Sequence, residues 1–236
     1  MATIVDARAG GGLPALLGAL LDAADRSPDR LAAVTAGLDG TVDVDRRVDP
    51  AAVAVRFARA DASDANASES GPDSRTRTLG DALAALDDCD CTDAAADGAR
   101  SVLRLAASAR ASAGDDGDRH SLDAVSLPVL GTDRGLAGVA CVAELVAALD
   151  GPLLTTPVAV EPSPDRFALA AAERADWAVR EAPSATSGPV AVAALAGLAD
   201  GVERLPTLDL RATGYGARVD LNANADPLRV LRGEPV

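Results

Sequence analysis

Apolar positions fall at helical spacing early in the chain. Leu16, Leu17, Leu20, Leu21 and Ala24 stand at i, i+1, i+4, i+5 and i+8, which lays one apolar stripe along a helix. Pro14 suits that helix's first turn, where its fixed φ fits and its missing N–H is not needed. Ala2 to Asp6 reads as a short strand entering the glycine turn Gly10-Gly11-Gly12, and Ser27-Pro28 restarts a second helix that ends near Gly37 or Gly40. Val42 and Val44, then Ala51, Val53, Val55 and Phe57, alternate with polar or small residues around Asp49-Pro50, the pattern of a β-hairpin. From Asp61 to Thr78 there is no large apolar residue to offset the entropy of ordering, so residues 61–78 are expected to form an acidic disordered linker. Helical patterns follow over Leu79–Leu86 and Ala94–Ala113, the second with Val102, Leu103, Ala106 and Ala107 on one face. Beyond a soft stretch, Ser112 to Arg119, helices are predicted over Leu136–Leu149, Arg166–Trp177 and Gly188–Ala199, and a strand over Leu153–Val160. Leu205–Arg211 predicts a strand running into a turn at Gly214-Tyr215-Gly216, with a final strand after it. The expected fold class is α+β, short mixed sheets with several packed helices. It divides into a 1–60 βαα-hairpin region, the linker, and a 79–236 α+β region.

Composition narrows the partners. The chain of 236 residues carries a net charge of −14, contains no lysine, and draws its acids mainly from Asp. Such carboxylate density fits either an acidic surface for a basic partner or a salt-adapted proteome. Without a basic cluster it is a poor candidate for gripping nucleic-acid phosphates. No window resembles a membrane span, and Met1 to Asp6 lacks a basic n-region, so a cytoplasmic location is expected. Phe57, Phe167, Trp177 and Tyr215 are the large aromatics; the core must be built from Ala, Val and Leu.

Candidate chemistry is sparse. Gly10-Gly11-Gly12 between strand and helix is either a tight βα turn or a set of backbone N–H groups facing an anion, though it matches neither a P-loop nor G-x-G-x-x-G. Cys89-Asp90-Cys91 offers two thiolates, which suit a soft metal but cannot close a tetrahedral site. His120, the single imidazole, lies in a polar stretch and reads as a loop residue. No serine sits in a G-x-S-x-G elbow. No carboxylate pair stands out as acid and base, so the catalytic residues are unknown.

Three segments read together resemble a known family. Val5-Asp-Ala-Arg-Ala-Gly-Gly-Gly-Leu-Pro-Ala-Leu-Leu-Gly-Ala-Leu-Leu-Asp22 is similar to its opening, written FDCFSGISGDMLLGALLD. Gly214-Tyr-Gly-Ala-Arg218 with Asp226-Pro-Leu-Arg-Val-Leu-Arg-Gly-Glu234 is similar to its GYGAG and NVLR-LLGE elements, and Val125-Ser-Leu-Pro-Val-Leu-Gly-Thr-Asp-Arg134 to VHFHEVGAVD. Arg77-Thr-Leu-Gly-Asp81 likewise resembles RHLRD. The family is LarC, the nickel-insertion proteins that complete the nickel-pincer cofactor, pyridinium-3,5-bisthiocarboxylic acid mononucleotide. The resemblance implies the architecture of the family's N-terminal half and a part in CTP-dependent nickel insertion, a cyclometallase reaction of the lyase class. It marks Asp6, Gly10, Gly214, Tyr215 and Gly216 as ligand-binding candidates. Gly214 and Gly216 are expected to allow backbone angles closed to other residues, with Tyr215 either packing or stacking on a ligand. The departures matter as much. Pro14, Thr78, Ser126, Pro128, Val129 and Arg134 stand where the family has Asp, His, His, His, Glu and Asp. Nickel prefers imidazole, thiolate and carboxylate donors, so nickel binding is doubtful, with Cys89 and Cys91 as weak substitutes. The family's C-terminal domain has no counterpart here, which puts the CTP and magnesium site outside this chain. The implied partner is a second-half LarC-like chain or a full-length paralogue; the other reading is a non-catalytic scaffold or regulatory paralogue.

Overall fold

A computed structural model describes residues 1–24, 26–38, 40–48, 51–59, 76–114, 121–161, 164–182, 187–217 and 226–236. The Asp49-Pro50 turn, most of the 61–78 linker, and His120 with most of the Ser112–Arg119 stretch lie outside the described residues. In chain order the elements are β1 (Ala2–Asp6), α1 (Leu13–Ala24), α2 (Asp29–Thr35), β2 (Gly40–Val48) and β3 (Ala51–Arg59). There follow α3 (Leu79–Asp87), α4 (Asp93–Ala113), α5 (Asp133–Ala147), β4 (Leu153–Thr155) and β5 (Val158–Val160). The last are α6 (Arg166–Arg174), β6 (Val179–Glu181), α7 (Pro189–Leu198), β7 (Asp200–Gly201), β8 (Leu208–Gly216) and β9 (Leu228–Pro235). The class is α+β, with seven α-helices among the described residues. Seven strands form one mixed sheet of order β2-β3-β8-β9-β1-β4-β7, and β5 and β6 form a small parallel pair.

The sheet is assembled from both ends of the chain. β1 pairs antiparallel with β9 and parallel with β4, while β3 meets β8. The 1–60 and 79–236 regions therefore share one sheet, and one continuous core runs through both.

Local chemistry explains the main boundaries. The strand expected over Leu153–Val160 divides at Thr156-Pro157, because Pro157 has no N–H to continue the ladder. Its first half stays in the large sheet and its second pairs with β6. Threonine hydroxyls cap α3, α4 and α5: Thr78 accepts from Asp81 N, Thr92 from Ala95 N and Thr132 from Gly135 N. Each such cap is worth about 1 kcal/mol. The sixth helix ends at Arg174 rather than Trp177, since Asp176 takes a left-handed φ of 53°.

Gly214-Tyr215-Gly216 is the last stretch of β8 and not a turn, and neither glycine has a positive φ. Their role is close approach. A Cβ on Gly216 would stand 2.6 Å from the Ala15 carbonyl carbon and 2.7 Å from Ala19 N, and one on Gly214 would stand 2.8 Å from the Ala23 Cα. Gly18 makes the reciprocal approach to the Val53 carbonyl. So α1 lies directly on β8 and β3, burying Leu16, Leu17, Leu20 and Leu21 completely. The longer helix α4 applies the same device behind it, with Gly197 of α7 set against the Val102 backbone.

Candidate functional site

The carboxyl ends of β1 and β4 lie side by side, and there Asp6 is nearly sealed from solvent. Arg8 grips it with two bonds, Nε to Oδ1 at 2.7 Å and Nη2 to Oδ2 at 2.9 Å. Arg229 of β9 donates to Oδ2 at 2.6 Å, and the Thr156 hydroxyl approaches Oδ1 at 3.5 Å. That hydroxyl also accepts from Ala7 N at 3.0 Å, which fixes the chain as it leaves β1. Burial opposes the charge on Asp6, but the two guanidinium groups outweigh it and hold the carboxyl at about 2. At neutral pH Asp6 is thus a permanent anion that orients two arginines, and it has no proton to give or take in catalysis.

Strand alternation explains which predicted residues meet here. Gly214 and Gly216 face α1, so Tyr215 between them faces the other side of the sheet. Tyr215 is in register with Arg229, and Arg229 with Asp6. The three form one cross-strand row on the face opposite α1. Tyr215 is half-buried there against Ala52, Ala54 and Ala217. Its backbone N–H donates to Asp22 Oδ2 at 3.0 Å, tying the row back to α1. The structure aligns Asp6 and Tyr215 in one row with Arg229 between them and turns Gly214 and Gly216 to the other face.

Gly10 and Gly11 have φ of 69° and 152°, angles that favour glycine, and they bend the chain from Arg8 toward α1. The β5–β6 pair and the start of α7 pack beside this loop: Arg180 Nη2 of β6 donates to the Arg8 carbonyl at 2.9 Å, and Gly188 N, just before α7, donates to the Gly11 carbonyl at 3.0 Å. Three arginines, Arg8, Arg180 and Arg229, meet around this loop and Asp6 on a chain of net −14. Arg8 and Arg229 keep 47% and 38% of their side chains exposed. Planar, pre-oriented guanidinium edges of this kind recognise carboxylates and phosphates. Arg8, Arg180, Arg229 and Thr156 are the residues that sequence reasoning missed. Arg229 lies within the family-like DPLRVLRGE stretch, but its pairing with Asp6 spans the whole chain and carries no local signal.

Two cavities lie among the described residues, one of them reaching Thr156. One, of about 70 Å³, lies on the far side of Thr156 between Trp177, Gly201 and Glu203. The other, of about 90 Å³, is lined by Leu127, Pro128, Val129, Phe167 and Val190 with Arg110 and Asp165 at its rim. Thr78 and Ser126, two further positions matched to family histidines, form a backbone bridge, and Arg134 lies in the first turn of α5.

Cys89 and Cys91 lie in the α3–α4 connection, half-buried, and Cys141 is buried on α5. Among the described residues no group of three or more His, Cys, Asp or Glu side chains is placed to hold a metal ion. No helix among them is long and apolar enough to cross a membrane. Compared with protein-family models, curated proteins and solved structures, the chain matches none.

Proposed function

We propose that this chain is a LarC-like component of nickel-pincer cofactor maturation that has lost its own nickel ligands. The observation that carries this reading is a long-range pairing between two of its family-matched positions. Thr78 and Ser126 are bridged, and Pro128 and Val129, next along the chain, line the 90 Å³ cavity. The bridge brings the Thr78 position to the matched 125–134 segment, which supports descent from a shared ligand site. The side chains at these positions are hydroxyls and hydrocarbon, which offer nickel none of the imidazole, thiolate or carboxylate donors it prefers. The close packing of α1 on β8 supports the same relationship, since it joins the two most family-like segments through Gly18, Gly214 and Gly216.

On this reading nickel is cargo handled by a partner, a second-half LarC-like chain or a full-length paralogue, which also supplies the CTP and magnesium chemistry. The apolar lining of the cavity favours the second reading, a scaffold or regulatory paralogue without metal chemistry.

The test is reconstituted nickel insertion, with a full-length LarC-type enzyme, cofactor precursor, CTP, Mg²⁺ and Ni²⁺, in the presence and absence of this chain. A higher yield of nickel-loaded cofactor is expected. Dialysis of the chain alone against Ni(II) in molar potassium chloride is expected to leave no nickel above the buffer control. One tightly held nickel would contradict the loss of ligands, and an unchanged insertion yield would leave the scaffold reading.

A further inference from the structure

The arginines around Asp6 carry more donors than the fold uses. A guanidinium has five N–H groups in one plane. Asp6 takes the Nε–Nη2 edge of Arg8, at 2.7 and 2.9 Å. The second edge of that plane, formed by Nη1 and Nη2, therefore points away from the carboxylate. Arg229 gives Asp6 only Nη2, at 2.6 Å, and Arg180 gives the Arg8 carbonyl only Nη2, at 2.9 Å. Among the described residues no other acceptor takes an N–H from any of the three. Arg8 and Arg229 are partly exposed and Arg180 is exposed, so solvent reaches all three.

Their placement is built into the fold. Arg8 and Arg229 both donate to Oδ2 of Asp6, so two guanidinium groups stand at one buried carboxylate oxygen. Arg180 is fixed to the backbone of Arg8 itself. Side chains already held in this way lose little further freedom when a ligand arrives. Glu181, the acid beside Arg180 on β6, alternates to the other face of its strand.

The arrangement also selects the anion. A planar carboxylate is satisfied by one guanidinium edge, as Asp6 is by Arg8. Three guanidinium groups, from the exit of β1, from β6 and from β9, suit a group with more terminal oxygens and more charge. A phosphate monoester has three such oxygens and a charge of about −1.5 to −2 at neutral pH. The chain carries 36 acidic residues and no lysine, so its surface at large repels such an anion.

We propose that Arg8, Arg180 and Arg229 form a binding site for the phosphate group of a phosphorylated small molecule. The phosphate takes the free edge of Arg8 together with N–H groups of Arg229 and Arg180, and no covalent bond forms or breaks. The site stands on these contacts alone and does not depend on the proposed part in nickel-cofactor maturation.

The test is titration of the full chain with methyl phosphate, the simplest monoester, followed by ³¹P NMR in molar potassium chloride. Saturable binding of one methyl phosphate per chain is expected, and an equal concentration of acetate should not displace it. Arg8→Gln and Arg180→Gln should each weaken binding about tenfold or more, the loss expected for a charge-assisted hydrogen bond. Arg180→Gln leaves the bonds to Asp6 untouched, and circular dichroism checks the fold of each variant. Arg211→Gln removes an exposed arginine of β8 that pairs with Asp209, and should bind as the wild type does. The proposal is overturned if the wild-type chain shows no saturable binding, or if Arg180→Gln binds as tightly as the wild type. Displacement by equal acetate would make this a carboxylate site, and an equal loss in Arg211→Gln would reduce it to diffuse charge; either result overturns the proposal.

Discussion

Replacing Asp6 by Asn tests whether the buried carboxylate organises the site. The substitution keeps the shape of the side chain and removes the charge that Arg8 and Arg229 grip. Holding a carboxyl at about 2 against an ordinary value of 3.8 corresponds to about 2.5 kcal/mol at full strength. Arg8 and Arg229 are partly exposed, so solvent screening reduces this to about 1–2 kcal/mol. The value is lowered in the folded state, so the stabilisation is complete above pH 3.8 and is lost as the pH falls toward 2. Urea unfolding followed by circular dichroism in molar potassium chloride measures the effect. Contacts of 2.6–2.9 Å lie within the roughly 3 Å Debye length of that solution and survive it. The variant should be less stable than the wild type by about 1–2 kcal/mol at pH 7, and the gap should close between pH 4 and pH 2. A gap that stays constant over that range, or none at pH 7, would refute the assignment of Asp6 as a charged anchor.

Three further outcomes are expected. Gly216→Ala places a methyl group against the Ala15 carbonyl, so α1 must move off β8; the chain should lose about 3 kcal/mol in the same denaturation assay. Glu144→Ala strips a partner from Arg30 and two acceptor contacts from Thr92 at the start of α4; a cost of about 2 kcal/mol and faster amide exchange at the first turn of α4 should follow. Thr156→Val leaves Ala7 N buried without its acceptor, costing about 1–3 kcal/mol by thermal unfolding, and should loosen Arg8 in side-chain NMR relaxation.

The helices were the most legible elements because their signals are local. Pro14 and the Leu16–Ala24 stripe fix α1, and Val102, Leu103, Ala106 and Ala107 mark the buried face of α4. The helix starts at Asp93 and Asp133 depend on threonine caps just before them. The strands β6 and β7 escaped notice because they have three and two residues, all exposed, too short for any alternation to register. Gly214-Tyr215-Gly216 misled for a physical reason: glycine signals both turns and close packing, and the sequence does not say which. The site was half visible. Asp6 and Tyr215 came from a motif, whereas the arginines that give the site its character are recruited through pairing between distant strands.

The antiparallel union of β1 with β9 also governs when this protein becomes a protein. Asp6 and Arg229 are 223 residues apart. At about 5–20 residues per second, β1 emerges from the ribosome and waits roughly 10–45 s for the strand that completes it. During that interval α1 has no β8 to rest on, and one side of β1 offers unpaired backbone to any passing chain. Acquisition of the central sheet is thus a late, long-range event, slow by the logic of loop closure. The arginine-bearing site cannot form in any N-terminal fragment: its assembly certifies that translation has run through β9.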